Sequence, residues 1–165
     1  MQEFIKQAHP QWQAMLQEAM SYMDESYLLE LKQQSNDWLP GHASLLAAFS
    51  LPVNSTRYIL MGESPYPRVK SANGYAFWDD AVGLLWSEKG LSKEVNRATS
   101  LRNLMKMMLY ARGDLTDNFS KEAIAKLDKT PYIQTADELF TSFLDKGFLL
   151  LNATLVYSKG RVNYH

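Results

Sequence analysis

The sequence predicts an α/β fold, with a parallel central sheet flanked by helices and an N-terminal helical segment ahead of it. Two short, unbroken apolar runs carry the prediction, Tyr58-Ile59-Leu60-Met61 and Phe148-Leu149-Leu150-Leu151, stopped by Gly62 and Asn152. Runs of that length suit strands covered on both faces. Between them lie three stretches with helix-start signals, and the order strand, helices, strand is the pattern of a parallel sheet.

Taken in order, Pro10 suits the first turn of a helix running to about Met23, with Trp12, Met15, Leu16, Ala19 and Met23 at helical spacing. A second helix is predicted over Glu25–Gln34, ended by Asn36, and Leu45, Leu46, Ala48 and Phe49 predict a short third. Tyr58–Met61 is the first buried strand, and Glu63 to Ala76 reads as a long loop. Thr99 or Ser100 is expected to cap a helix through about Tyr110, with Leu101, Leu104, Met105 and Met108 facing the core. Ser120 is expected to cap another over Lys121–Leu127. Thr135 and Glu138 have capping-box spacing for a helix to Lys146, with Gly147 as its C-cap. The second strand, Phe148–Leu151, follows, and Thr154–Tyr157 extends or succeeds it.

The 165 residues suffice for one domain with a sizeable core, divided here into a helical lead-in over 1–50 and an α/β part over 56–165. With no cysteine, disulfides and thiolate zinc sites are excluded, which is compatible with a cytoplasmic location. Met1-Gln2-Glu3 lacks the basic start of a secretory signal, and no apolar run nears the roughly 20 residues of a membrane helix. Net charge is −1 but uneven: residues 1–50 carry two Lys/Arg against six Asp/Glu, and residues 51–165 carry 15 against 12. Near-neutral charge does not exclude a DNA partner, because backbone N–H groups and hydroxyls also hold phosphates. The three histidines are far apart, no metal-ligand spacing occurs, and Asp79-Asp80 reads as an exposed turn, so no metal or cofactor is expected. His9 and His42 read as surface or packing residues.

In a parallel sheet, ligands bind beyond the carboxyl ends of the strands. Two polar features stand there: Gly62-Glu63-Ser64-Pro65-Tyr66-Pro67 and Asn152. At these places the sequence resembles family-one uracil-DNA glycosylases. Their first motif is a hydrophobic strand, Gly-Gln-Asp-Pro-Tyr-His, and a loop ending in Gly-hydrophobic-Ala-Phe, against which Gly62–Pro67 and Gly74-Tyr75-Ala76-Phe77 fit without a gap. Their Gly-Val-Leu-Leu-Leu-Asn stretch is matched by Gly147-Phe148-Leu149-Leu150-Leu151-Asn152, with Leu155, Gly160 and His165 in step beyond it. Ser100, Leu101, Asn103 and Lys106 match a segment that starts at a DNA-backbone loop, and Pro40 and Ala48-Phe49 match the lead-in to the first strand.

The resemblance implies hydrolysis of the N-glycosidic bond of uracil, or another modified base, flipped out of DNA by a monomeric protein. It places Phe77 as the base-stacking aromatic, Asn152 as the reader of the Watson–Crick edge and Tyr66 as the ring that excludes a C5 methyl. The plainer alternatives are a core aromatic, a strand-end turn residue and a packed loop aromatic. Ser64 stands where the family has its catalytic aspartate, and Pro67 where it has histidine. Glu63, one residue early, is the carboxylate left to position water, with Ser64 helping; its alternative is a carboxylate bonded to nearby backbone N–H groups. Ser100, Arg68, Lys159 and Arg161 are the expected phosphate contacts, and Arg57 and Lys70 lie in or beside the same segments. The family continues with two more strands and a His-Pro-Ser-Pro segment that has no counterpart here. An incomplete domain is therefore expected, since a sheet of two strands leaves an open edge. The competing function classes are a catalytically inactive DNA- or nucleobase-binding module and a protein-interaction domain of the same fold.

Overall fold

The computed structural model describes residues 2–33 and 37–158. In chain order its elements are α1 (Gln2–Ile5), α2 (Pro10–Ser21), α3 (Glu25–Gln33), β1 (Trp38–Leu39), β2 (Tyr58–Gly62), β3 (Trp86–Ser87), β4 (Gly90–Leu91), α4 (Lys93–Arg97), α5 (Thr99–Ala111), α6 (Lys121–Ala125), α7 (Ala136–Asp145), β5 (Phe148–Asn152) and β6 (Tyr157–Ser158). They fall into two compact units, one holding the residues up to Ala76 and from Phe143 onward, the other Phe77–Ser142.

In the first unit, His9 caps α2 by accepting a hydrogen bond from the Gln11 N–H at 3.3 Å, and Pro10 opens the helix. The helix buries Trp12, Leu16 and Met20, whereas Met15, Ala19 and Met23 face outward. Two rows at four-residue spacing compete here, and the core takes the one holding the largest ring, Trp12, whose indole N–H also donates to the Leu51 carbonyl at 2.7 Å. The Asp24 carboxylate accepts from the Ser26 hydroxyl and the Ser26 N–H ahead of α3, which holds its pKa below the ordinary value. The expected helix end at Asn36 lies outside the described residues.

Leu45, Leu46, Ala48 and Phe49 are buried as expected, but on short 3-10 turns and not on an α-helix. Leu46 and Phe49 stand outside helical φ/ψ, which breaks the stretch into separate short turns. These residues form one core with Phe4, Trp12, Trp38 and Leu149. His42 packs there against Phe4 and Trp38, with its Nε2 3.0 Å from the Leu31 carbonyl.

β2 and β5 pair in parallel, in register from Tyr58 opposite Phe148 to Gly62 opposite Asn152. Gly147 prepares this ladder: at φ 83° it ends α7 by donating to the Leu144 carbonyl, and its own carbonyl accepts from the Arg57 N–H at 2.8 Å. β6 pairs antiparallel with β1, a strand not foreseen. The expectation of two buried strands holds for β5, where Leu149 and Leu150 are buried, and fails for β2. Tyr58, Ile59 and Met61 are 56%, 60% and 53% exposed, because β5 is the one strand beside β2 among the described residues.

The second unit has the hairpin β3–β4 and helix α4, neither of them foreseen, with the Ser92 hydroxyl capping α4 at the Val95 N–H (3.1 Å). Thr99 and Ser100 do not cap α5: the N-cap is Ala98, whose carbonyl accepts from Arg102, and Ser100 is exposed in the first turn. α5 buries Leu101, Leu104, Met105 and Leu109, with Leu109 in the place expected of Met108. Ser120 caps α6 as expected, and the Thr135–Glu138 capping box forms reciprocally, at 3.2 Å and 3.1 Å. No helix among the described residues is long and apolar enough to cross a membrane.

Candidate functional site

The carboxyl ends of β2 and β5 meet at the rung Gly62–Asn152, and the chain knots them together just beyond it. The Ala153 N–H donates to the Gly62 carbonyl at 2.9 Å. The Glu63 carbonyl accepts from both the N–H and the hydroxyl of Thr154, at 2.9 and 3.1 Å. Glu63 thus has a fixed backbone and an exposed residue surface. Thr154, which does the fixing, was read from sequence only as part of a possible strand.

Asn152 is 5% exposed at this end, so its amide is withdrawn from bulk water. Gly62 makes room for it. A methyl group at position 62 would overlap Asn152 Oδ1 and stand 2.9 Å from the Ala76 Cβ. Ala76 is fully buried, its N–H donating to the Leu150 carbonyl at 3.0 Å, so the end of the loop lies against β5. The motif glycine is therefore required by close approach of three segments, and it sets where the asparagine amide can sit.

Within the loop, Pro65 is buried and Tyr66 half-buried. The Arg68 guanidinium stands 6.0 Å from the centre of the Tyr66 ring, and its Nε donates to the Ser71 hydroxyl at 3.0 Å. Ser71 is fully buried and was not singled out from the sequence; one serine in a loop carries no signal of that kind. Ser64 and Lys70 are exposed on the same loop.

Among the expected residues, Gly62, Glu63 and Asn152 come together, and Tyr66 pairs with Arg68. Phe77 begins the second unit and has φ 66°, a left-handed conformation that a bulky side chain adopts only at a cost. Ser100 also belongs to the second unit. Lys159, Arg161 and His165 lie outside the described residues. Arg57 does not border this end: it precedes β2, a five-residue strand of about 16 Å, so it marks the opposite end of the ladder. Asp79 is not in an exposed turn. It is 1% exposed, its carboxylate accepting from the Ala81 N–H at 3.0 Å. Among the described residues no group of His, Asp and Glu is placed to hold a metal ion.

Chemically, a side-chain amide carries both a donor and an acceptor, the pair that matches the O4 and N3–H on the edge of uracil. Glu63, an exposed residue, directly follows Gly62 in the chain.

Two solved structures of a UNG from Nitratifractor salsuginis, the wild type and a single-residue mutant, match 96% of this chain at 45% sequence identity, with TM-scores of 0.84 and 0.83. The chain spans 65% of the length of each. A mimivirus uracil-DNA glycosylase shares the fold at a TM-score of 0.55 and 15% identity, over 95% of this chain and 51% of that one. Neither a protein-family model nor a curated protein sequence matches the chain.

Proposed function

We propose, on the premise that the chain belongs to the uracil-DNA glycosylase superfamily, that it hydrolyses the N-glycosidic bond of uracil, or a closely related modified base, in DNA. The observation that carries this reading is the rung Gly62–Asn152, where a glycine required by close approach leaves space for a buried asparagine, with the exposed Glu63 next in the chain after Gly62.

The target nucleotide is flipped out of the stack before reaction. Asn152 pairs with the Watson–Crick edge of the base and Tyr66 limits substituents at C5; for Phe77 the stacking role rests on the family resemblance alone. As the bond between the sugar C1′ and the base nitrogen breaks, its electron pair leaves with the base and the sugar becomes oxocarbenium-like. Glu63 supplies negative charge to that cation and orients a water, whose oxygen bonds to C1′ as its proton passes to the Glu63 carboxylate, while Ser64 hydrogen-bonds the water and the departing base anion takes a proton from solvent. Arg68 and Ser100 hold phosphates, together with Lys159 and Arg161. The protein works as a monomer in the cytoplasm, with DNA as its partner and no cofactor.

Binding of single-stranded DNA carrying one deoxyuridine tests the recognition half of this reading. Asn152→Ala is expected to erase the preference for deoxyuridine over deoxycytidine, a factor of up to about 10⁴ when a buried polar reader is lost. Phe77→Ala is expected to weaken both by the roughly 1–3 kcal/mol of a base–aromatic stack. Unchanged binding in both variants would remove the pocket assignment.

A further inference from the structure

Tyr66 stands between two prolines, the buried Pro65 and the exposed Pro67. A proline fixes its own φ and steers the residue before it toward an extended backbone, so the chain at Tyr66 has little freedom. That leaves the rotation of the side chain, and the residue is only half-buried. The Arg68 guanidinium lies 6.0 Å from the centre of the ring, within reach of a cation–π contact. An arginine at an exposed loop position steadies a ring only if it is itself held. Its Nε donates to the Ser71 hydroxyl at 3.0 Å, and Ser71 is fully buried. The Arg68 carbonyl accepts from the N–H groups of Ser71 and Ala72, at 3.0 and 3.1 Å, so the turn that carries the serine is closed on the arginine it anchors. Buried hydroxyl, guanidinium and ring form one chain of contacts that ends on Tyr66.

We propose that Arg68, anchored by Ser71, is a positioning residue that holds the Tyr66 ring in place and so sharpens the rejection of bases substituted at C5. The inference rests on the reading that Tyr66 limits substituents at C5. It gives Arg68 a part that a phosphate contact does not explain. A phosphate needs only a positive charge, whereas this arrangement uses the flat face of the guanidinium and its Nε together. The excluded ligand class is the 5-substituted pyrimidines, of which thymidine is the simplest in DNA.

The test measures binding of the 165-residue chain to strands of deoxyadenosine that carry one deoxyuridine, thymidine or deoxycytidine. The deoxyuridine-to-thymidine ratio reads exclusion at C5. The deoxyuridine-to-deoxycytidine ratio reads the Watson–Crick edge, and a general loosening of the loop would lower both. Arg68→Ala should lower the first ratio roughly two- to fivefold, the worth of one exposed cation–π contact, and keep the second. Arg68→Lys retains the charge and should also lower the first ratio, because lysine offers neither the planar face nor the Nε donor. Ser71→Ala should do the same with the arginine in place. In a Tyr66→Ala background, where the first ratio has already fallen, Arg68→Ala should lower it no further. An unchanged first ratio in any of the three single variants, an equal fall of both ratios, or a further fall in the Tyr66→Ala background would overturn the proposal. If Tyr66→Ala itself keeps the full first ratio, or the wild type shows no preference over thymidine, the C5 reading fails and takes the positioning role with it.

Discussion

Gly62→Ala isolates the geometry on which the site rests. The added methyl would lie 2.9 Å from the Ala76 Cβ. Carbon atoms pack at about 3.5–4.0 Å, so that contact alone requires a retreat of roughly 0.6 Å or more. Ala76 cannot retreat freely, being fully buried and bonded to the Leu150 carbonyl. The methyl also overlaps Asn152 Oδ1, so the asparagine amide must move further still. Overpacking of this kind costs about 1–3 kcal/mol. For a chain of this size each kcal/mol is about 2–4 °C, so the melting temperature should fall by roughly 2–12 °C. Recognition should suffer more than stability, because binding groups tolerate only about 0.5 Å of displacement and a 1 Å error costs about 10²-fold. Thermal unfolding by circular dichroism and the deoxyuridine-to-deoxycytidine binding ratio measure the two effects. Gly83→Ala is the control, since nothing lies within 4 Å of its added methyl. If Gly62→Ala melts with the wild type and keeps the binding ratio, the crowding is not real and Gly62 does not position Asn152.

Two further perturbations test parts of the same framework. Arg68→Ala removes the cation beside Tyr66 and the hydrogen bond to Ser71. If Arg68 meets phosphate, the slope of log affinity against log salt for single-stranded DNA should become shallower by roughly 0.7, and an unchanged slope would contradict the contact. Thr135→Ala removes one half of the capping box of α7 and should cost about 1 kcal/mol, a fall of roughly 2–4 °C in melting temperature, with the deoxyuridine preference unaffected.

The most legible parts of the fold were those whose signals are local. Ser120, the Thr135–Glu138 pair and Gly147 each act within a turn of their own helix, and each does in the structure what its chemistry predicts. The parallel pairing of β2 with β5 was legible because two unbroken apolar runs separated by helices have few other arrangements. The errors came where the outcome depends on distant partners. Four-residue spacing could not choose between the Met15 and Leu16 rows of α2, because the choice is made by a core shared with Phe49 and Leu149. An apolar run predicts burial of β2 only if something covers it, and no local pattern reports whether the cover is present. The short pairings β1–β6 and β3–β4 hold two residues per strand, too few to show any period.

At the candidate site, residue types were legible and their support was not. Gly62, Glu63 and Asn152 stood out because each interrupts or follows an apolar run. The fully buried Ser71 under Arg68 and the double hydrogen bond from Thr154 to the Glu63 carbonyl became visible only with the loop in place. Arg57 shows the converse error, since adjacency in sequence to a site strand does not mean the same end of it.

The most direct test of the proposed function is single-turnover cleavage of end-labelled single-stranded DNA containing one deoxyuridine, with the protein in excess. The predicted result is an abasic product that disappears with Glu63→Gln. No abasic product, from protein shown to be folded, would contradict uracil hydrolysis at this site.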